Sequence, residues 1–322
     1  MEPFEIHILG CGSALPTTRH NATAQVVKIW NKQFMIDCGE GTQLQLRRNH
    51  IHFSFINHIF ISHLHGDHCF GLIGLISTFA LLGRTAPLHI YADHNLEEVM
   101  KPQIDFFCKR MNYPLFFHSI DATKQQIIFE DNTITVETIP LKHRMPCCGF
   151  LFREKPKQRH LIGDMVKSEK ERAYEAIRTG KAQINFYNIP TYMRQAIKDG
   201  ADYTTPDGDT IPNSRLTKDA DRSRSYAYCS DTAPCDNSMQ LKDVDLLYHE
   251  ATFADSEKER AAQTFHSTAR QAAQIASSAG VKRLVIGHYS SRYDTPDTLL
   301  KEAREIFPAT IAANEGETIR ID

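Results

Sequence analysis

No run of this 322-residue chain is apolar for long enough to cross a bilayer: the most apolar stretch, Phe70 to Leu82, is short and is broken by Gly71, Gly74, Ser77 and Thr78. Disulfide staples are not expected either. Cys11, Cys38, Cys69, Cys108, Cys147, Cys148, Cys229 and Cys235 show no C-x-x-C spacing. The start, Met1-Glu2-Pro3-Phe4, has no basic stretch followed by an apolar one, so a reducing, cytoplasmic compartment is expected. The adjacent Cys147 and Cys148 read as small packing residues. A strong charge is missing too. Net charge is -2 and the pI about 6.8, which on average argues against a phosphate-binding protein. That average hides an asymmetry. Residues 153–224 hold 15 Lys+Arg against 11 Asp+Glu, a net +4, while the remainder carries -6. Repeats and low-complexity tracts are absent.

What is present is a hydrophobic content of 41%, enough for one large domain or two ordinary ones. The start alternates like strands joined by tight turns: Phe4 to Leu9, Ala24 to Trp30 and Gln33 to Asp37. Ile59-Phe60-Ile61 reads as a buried strand running into a histidine-rich loop, after which Phe70, Ile73, Ile76 and Ala80 recur at helical spacing. Strands are expected at His89 to Ala92, Gln126 to Phe129, Thr133 to Ile139 and Gly149 to Arg153, with a helix from Leu96 to Phe107, a mixed α/β pattern. Past Arg224, strands at Tyr226 to Cys229, Asp245 to Tyr248 and Lys282 to Ile286 each end in polar residues. A helix from Thr268, boxed by Gln271, should stop at Gly280, and Thr295-Pro296 should open a last helix.

Residues 153–224 differ in texture, with many charges and turn signals at Gly180, Pro190, Gly200, Pro206-Asp207-Gly208 and Pro212. The segment reads as an insertion in a single domain spanning 1–322. Ser168 with Glu171 predicts a short helix that Gly180 would end. A disordered linker is the alternative that composition alone leaves open.

His63-Leu64-His65-Gly66-Asp67-His68 places three imidazoles and a carboxylate within six residues. In a chain with 16 histidines this pattern should arise by chance in only ~2 of 1000 cases. Zinc prefers imidazole nitrogen and carboxylate oxygen, and four such groups on one loop exceed what a single catalytic ion takes from a local motif. Two metals are suggested. Two such ions can acidify a water for attack and neutralise the charge of a phosphoryl transition state.

The loop resembles the H-x-H-x-D-H signature of the metallo-β-lactamase superfamily, which implies an αββα sandwich. It also implies further ligands at later strand ends in the order His, Asp, His, found here as His143, Asp231 and His288. By that resemblance His63, His65 and His143 hold one zinc, Asp67, His68 and His288 the other, and Asp231 bridges them. Taken singly, a strand-end histidine is more often a satisfied polar residue than a ligand.

A more specific resemblance is carried by His249-Glu250-Ala251-Thr252-Phe253 with His266-Ser267-Thr268. It extends to Gly10-Cys11-Gly12-Ser13-Ala14-Leu15-Pro16 with Arg19 and Asn21, to Asp37-Cys38-Gly39-Glu40-Gly41-Thr42-Gln43 and to His288-Tyr289-Ser290-Ser291-Arg292-Tyr293. Over nearly the whole chain these motifs resemble the ribonuclease Z family. The resemblance implies removal of the 3′ trailer from precursor tRNA, leaving a 3′-hydroxyl on the tRNA and a 5′-phosphate on the trailer. It gives His266 the protonation of the departing oxygen, Glu250 its orientation, and Asp67 a second role as acceptor of the proton from the attacking water.

The family resemblance also implies two Zn2+ per subunit, with Mn2+ or Fe2+ as substitutes, a homodimer, and an arm at 153–224 that grips the tRNA elbow. Here the comparable arm stretch reads Tyr187-Asn188-Ile189-Pro190-Thr191-Tyr192, without the family's Gly-Pro pair. Ser290 and Arg292 are candidate phosphate contacts, with a surface salt bridge as the alternative for Arg292. Two other functions remain open on sequence: a small-ester or phosphodiester hydrolase of the same superfamily, for which the arm would have no use, and a non-enzymatic zinc or RNA-binding module, for which the carboxylate ligands are unsuited.

Overall fold

The computed structural model describes residues 2–15, 17–162 and 189–322. The helix expected between Ser168 and Gly180 lies outside the described residues, as do Lys167, Lys181, Tyr187 and Asn188. The chain forms two compact units, one of Met1–Glu154 with Arg224–Asp322 and one of Lys155–Ser223.

In the larger unit two seven-stranded sheets share one core. The first runs in the order β18 (Thr318–Arg320), β1 (Phe4–Gly10), β2 (Ala24–Ile29), β3 (Lys32–Ile36), β4 (Ile56–Phe60), β5 (Leu88–Ala92) and β6 (Leu115–Ser119). Its pairings are antiparallel as far as β3 and parallel beyond. The second runs β17 (Thr310–Ala312), β16 (Leu284–Gly287), β15 (Leu246–Glu250), β14 (Ser225–Cys229), β9 (Cys148–Glu154), β8 (Ile134–Pro140) and β7 (Ile127–Glu130), parallel from β17 to β14 and antiparallel afterwards. The inner parallel strands β14, β15 and β16 are covered on both faces and bury every residue.

Between the sheets Phe60 meets Phe150 at 5.5 Å and Phe34 meets Phe152 at 5.8 Å between ring centroids. Outside the first sheet, α1 (Thr42–Arg48), α3 (Leu72–Leu81) and α4 (Asn95–Phe107) bury Leu46, Leu75, Phe79 and Met100 against Val26, Met35, Ile59 and Ile90. Outside the second, helix Ala269–Ala279 packs on a face of alanines, Ala269, Ala272, Ala273, Ala276 and Ala279. Its start carries the Thr268–Gln271 capping box and its end Gly280 at φ 65°, both as the sequence predicts. The layers are helix, sheet, sheet, helix, the expected αββα sandwich. Among the described residues no helix is long and apolar enough to cross a membrane.

One expected face is displaced. The residues buried on α3 are Leu72, Leu75, Ile76 and Phe79, whereas Ile73 and Ala80 are half-buried and Phe70 is 71% exposed. The reason is a break in the helix. Asp67 and His68 sit on a separate four-residue helix, α2 (Gly66–Cys69), and the chain turns at Gly71, where an added Cβ would stand 2.1 Å from the Gly39 carbonyl oxygen. A period counted through that turn falls out of phase. Helix α1 and strand β6 were not anticipated, β4 begins earlier than expected, at Ile56, and β15 extends through His249 and Glu250.

Glu154 and Arg224, where the larger unit gives way to residues 155–223 and resumes, form a buried pair. The Arg224 Nε donates to Glu154 Oε2 at 2.9 Å and its Nη2 to Oε1 at 2.8 Å, while Nη1 donates to the Ile321 carbonyl. Within the smaller unit β10 (His160–Leu161) pairs with β13 (Thr217–Lys218) and β11 (Tyr203–Thr204) with β12 (Thr210–Ile211), around buried Ile189, Ile197, Tyr203, Ile211 and Leu216.

Candidate metal centre

Polar residues gather at one end of the sandwich because the chain leaves β3, β4, β8, β14, β15 and β16 there, the usual place for a site in parallel layers. Asp37, Asp231 and His288, each just past a strand, adopt left-handed φ of 57°, 53° and 59°. Such angles cost a residue with a Cβ on the order of 1 kcal/mol and persist where surrounding structure enforces them.

Two ligand sets result. His63, His65, His143 and Asp231 form one, and Asp67, His68, Asp231 and His288 the other, with the donor atoms of each set within 4.8 Å of one another. Asp231 belongs to both. Its Oδ2 lies 3.6 Å from His63 Nε2 and 3.8 Å from His143 Nε2; its Oδ1 lies 3.2 Å from His68 Nε2 and 2.9 Å from His288 Nε2. His65 enters through Nδ1, 2.9 Å from His63 Nε2 and 3.2 Å from His143 Nε2. A tetrahedral zinc with nitrogens roughly 2.0–2.1 Å away would hold two of them roughly 3.3 Å apart. The donor set fits a divalent cation on a further count. The buried Asp67 Oδ2, His68 Nε2 and His288 Nε2 have no hydrogen-bond partner, since even the 2.9 Å approach of His288 to Asp231 is not aligned as one. Orphaned buried groups cost about 1–3 kcal/mol each, which a cation at the shared point would offset.

Supporting residues turn these atoms inward. Asp37, fully buried, lies 2.8 Å from His68 Nδ1 and accepts from the Ser62 backbone N–H at 2.7 Å and the Tyr228 hydroxyl at 2.7 Å. The His143 Nδ1 lies 3.1 Å from the carbonyl of Phe265, itself at φ 59°. Thr252 Oγ1 donates to Glu250 Oε2 at 2.5 Å and therefore accepts from His288 Nδ1, 3.0 Å away. Electrostatics favour positive charge in the Asp67–His68–His288 set, while burial depresses His63, His65 and His143. Burial pushes His288 down, but Asp231 more than reverses this and lifts it to about 10; His68 rises for the same reasons. Burial pushes Asp231 up, and His288 and His68 carry it well below the carboxylate range.

Beside the two sets, Glu250 Oε1 lies 2.8 Å from His266 Nδ1 and accepts from the Thr232 N–H at 2.7 Å. Burial depresses the His266 imidazole, but Glu250 raises it further, so its net shift is upward. Glu250 is fully buried, while His266 faces a cavity of about 990 Å³ that also reaches Asp67, Asp231 and His288. Ser290 and Arg292 line the same cavity, and Arg292 pairs with Glu257 at 3.1 Å while lying over the Phe253 ring. Every sequence-predicted site residue thus falls within one cluster or its cavity. Sequence reasoning missed Asp37, Ser62, Thr232, Thr252 and Tyr228 as supports, and Arg144 and Arg260 on the cavity wall. Asp37 and Thr252 stand inside the motifs Asp37–Gln43 and His249–Phe253; an exposed arginine carries no such signal.

Two mixed sheets between helices, with ligand sets sharing a carboxylate at the strand ends, define the metallo-β-lactamase class of fold. Residues 206–289 match the family model described as Beta-lactamase superfamily domain, and residues 4–184 match that described as Anti-Pycsar protein Apyc1. Human tRNase Z, short form, shares the fold with a TM-score of 0.67 at 22% identity, covering 99% of each chain. The metallo-beta-lactamase fold protein YhfI from Bacillus subtilis does so at 0.64 and 16%, covering 99% of this chain and 100% of that one. Full-length relatives narrow the class: ribonuclease Z of Bacteroides fragilis is 55% identical over 322 residues, and that of Porphyromonas gingivalis 50% identical over 323, each covering 100% of both chains. The chain belongs to the ribonuclease Z family.

Proposed function

We propose that the chain is a two-zinc endoribonuclease that removes the 3′ trailer from precursor tRNA, leaving a 3′-hydroxyl on the tRNA and a 5′-phosphate on the trailer. The observation that carries this reading is Asp231, whose two oxygens face separate imidazole-containing sets, beside a Glu250–His266 pair opening on the same cavity. His63, His65 and His143 would hold one cation, Asp67, His68 and His288 the other. Bound there, divalent cations supply an acidified water and positive charge for the phosphoryl oxygens. Asp67 accepts the proton of the attacking water. His266, its Nδ1 tied to Glu250 and its imidazole favouring the protonated form, donates from Nε2 to the departing 3′ oxygen. Residues 153–224, net positive, form the arm that holds the tRNA body away from the cut, in a homodimer, and manganese or iron can replace zinc.

The test is metal analysis of the purified protein coupled to cleavage of one precursor. Two ions per chain with 3′-hydroxyl and 5′-phosphate ends are expected. A 2′,3′-cyclic phosphate product, or full activity in Asp67→Ala, would exclude this chemistry. Substrate affinity that barely changes between low and physiological salt would exclude the electrostatic arm.

A further inference from the structure

Exposed large apolar side chains are informative when they gather at a binding site rather than scatter over a surface. Phe70 is 71% exposed and Leu15 64%, and both line the cavity of the metal centre. Phe70 ends the short helix that carries Asp67 and His68, and the core makes no demand on it, since the buried face of the next helix begins at Leu72. Gly66 supplies its seat. A Cβ there would stand 2.3 Å from the Phe70 Cε2 and 2.5 Å from Cζ, so the ring rests against a bare backbone immediately beside the metal ligands. The same cavity is lined by Arg144, whose guanidinium donates to the Gln263 carbonyl, and by Arg260. Aromatic faces set beside cations along a groove are how proteins hold single-stranded nucleic acid, the rings taking bases and the cations phosphates.

Resting on the proposed nuclease reading, we propose that Phe70 is a stacking platform for the nucleobase next to the cut bond. With the scissile phosphate at the metal centre, a ring that touches Gly66, one residue from Asp67, is within reach of the adjoining nucleotide and too close to the chemistry for a distant one. Phe70 is then a positioning residue: it fixes the strand so that the phosphate enters in a single orientation, and it takes no part in proton transfer. Because every base has an aromatic face, the contact tolerates any nucleotide, as a processing enzyme acting on many precursors requires.

The experiment measures KM and kcat of wild type, Phe70→Ala and Phe70→Tyr on one precursor tRNA and on versions made abasic at the nucleotide on either side of the cut. Phe70→Ala should raise KM about 5- to 150-fold on the intact precursor, the factor corresponding to about 1–3 kcal/mol of stacking. Phe70→Tyr should stay near wild type. On the abasic precursor lacking the stacked base, Phe70→Ala should cost nothing more, so that the two changes are coupled. An equal loss on intact and both abasic precursors overturns the platform, as does a Phe70→Ala protein whose melting temperature falls with the same loss everywhere. Sedimentation showing that Phe70→Ala splits a dimer would overturn it too, by giving this face to a second copy. A wild-type protein that fails to cut the intact precursor overturns the functional reading, and the platform with it; cutting without coupling overturns the platform alone.

Discussion

Strand β4 connects two histidine clusters that differ in the carboxylates around them. At its middle, His58 stacks on His89 at 5.0 Å between centroids, and the His89 Nδ1 lies 2.9 Å from the His118 Nε2. Beyond its end lie His63, His65 and His68. At the first cluster burial lowers all three imidazoles, and neighbouring imidazoles push His58 and His89 further down, His58 to about 4. The acid near His58 is Asp131, which is paired with Lys32. At the second cluster burial still depresses His63 and His65, but Asp37, Asp67 and Asp231 reverse its effect on His68. Imidazole density is therefore similar at the two ends, and the carboxylates decide which end can gather cations.

The comparison is broken most directly by removing the shared carboxylate. Asp231→Ala should make the active end resemble the His58 end: metal analysis should find both ions lost, and trailer cleavage should fall by more than about 10³-fold, as several kcal/mol of charge stabilisation disappears. Two ions retained per chain would contradict the bridging role. His266→Ala asks for less. It removes a proton donor and no ligand, so kcat should drop by about 10²- to 10⁴-fold with metal content unchanged. Loss of metal in that variant would move His266 from proton transfer to the ligand sets.

How much of this was legible follows the same division. The dense motif from His63 to His68 announces itself because its ligands are neighbours in sequence, and a mixed α/β pattern follows from strand and helix periods that stay regular, whereas the αββα layering comes from the resemblance. Asp231 and His288 become legible only through the resemblance, since a lone polar residue after a strand has no local pattern. Asp37 and Thr252 could not be given roles, because their partners, Tyr228 for one and His288 for the other, lie far along the chain and meet them only after folding. The phase error at Phe70 has a local cause: the apolar stretch starts in the turn between two short helices, and the second helix begins only at Leu72, past Gly71. The spacing groups Phe70 with Ile73, Ile76 and Ala80, whereas the fold exposes it on the cavity wall.

Asp37→Asn sharpens the contrast between carboxylate-supported and unsupported imidazoles. It keeps the size of the side chain but removes the charge behind His68, so the ion of the Asp67–His68–His288 set should bind about 10- to 100-fold more weakly, as measured by graded chelation. The His63–His65–His143 set, which Asp37 reaches only through the Ser62 hydroxyl beside the His63 Nδ1, should weaken less. Equal weakening of both would show that Asp37 acts through the fold.

The smallest effect is expected at the opposite end. His58 titrates at about 4 in the folded chain, below its ordinary 6.5, so the folded state resists a proton that the unfolded chain accepts. Stability is therefore unaffected by His58 above pH 6.5 and declines as pH falls from there towards 4. The groups facing it, His89 and His118 on neighbouring strands, Arg84 and the Lys32-paired Asp131, do not provide a net negative charge to change that sign. Phe34 and Phe129 already pack against the ring, at 5.7 Å and 4.6 Å between centroids, so Phe is an acceptable replacement. In urea unfolding at pH 7 and pH 4.5, His58→Phe should lose less stability on acidification than wild type, by on the order of 1 kcal/mol once solvent screening of a half-buried group is allowed for. Parallel losses in the two proteins would mean that the fold does not resist a proton at His58, and that carboxylates are not what separates the two clusters.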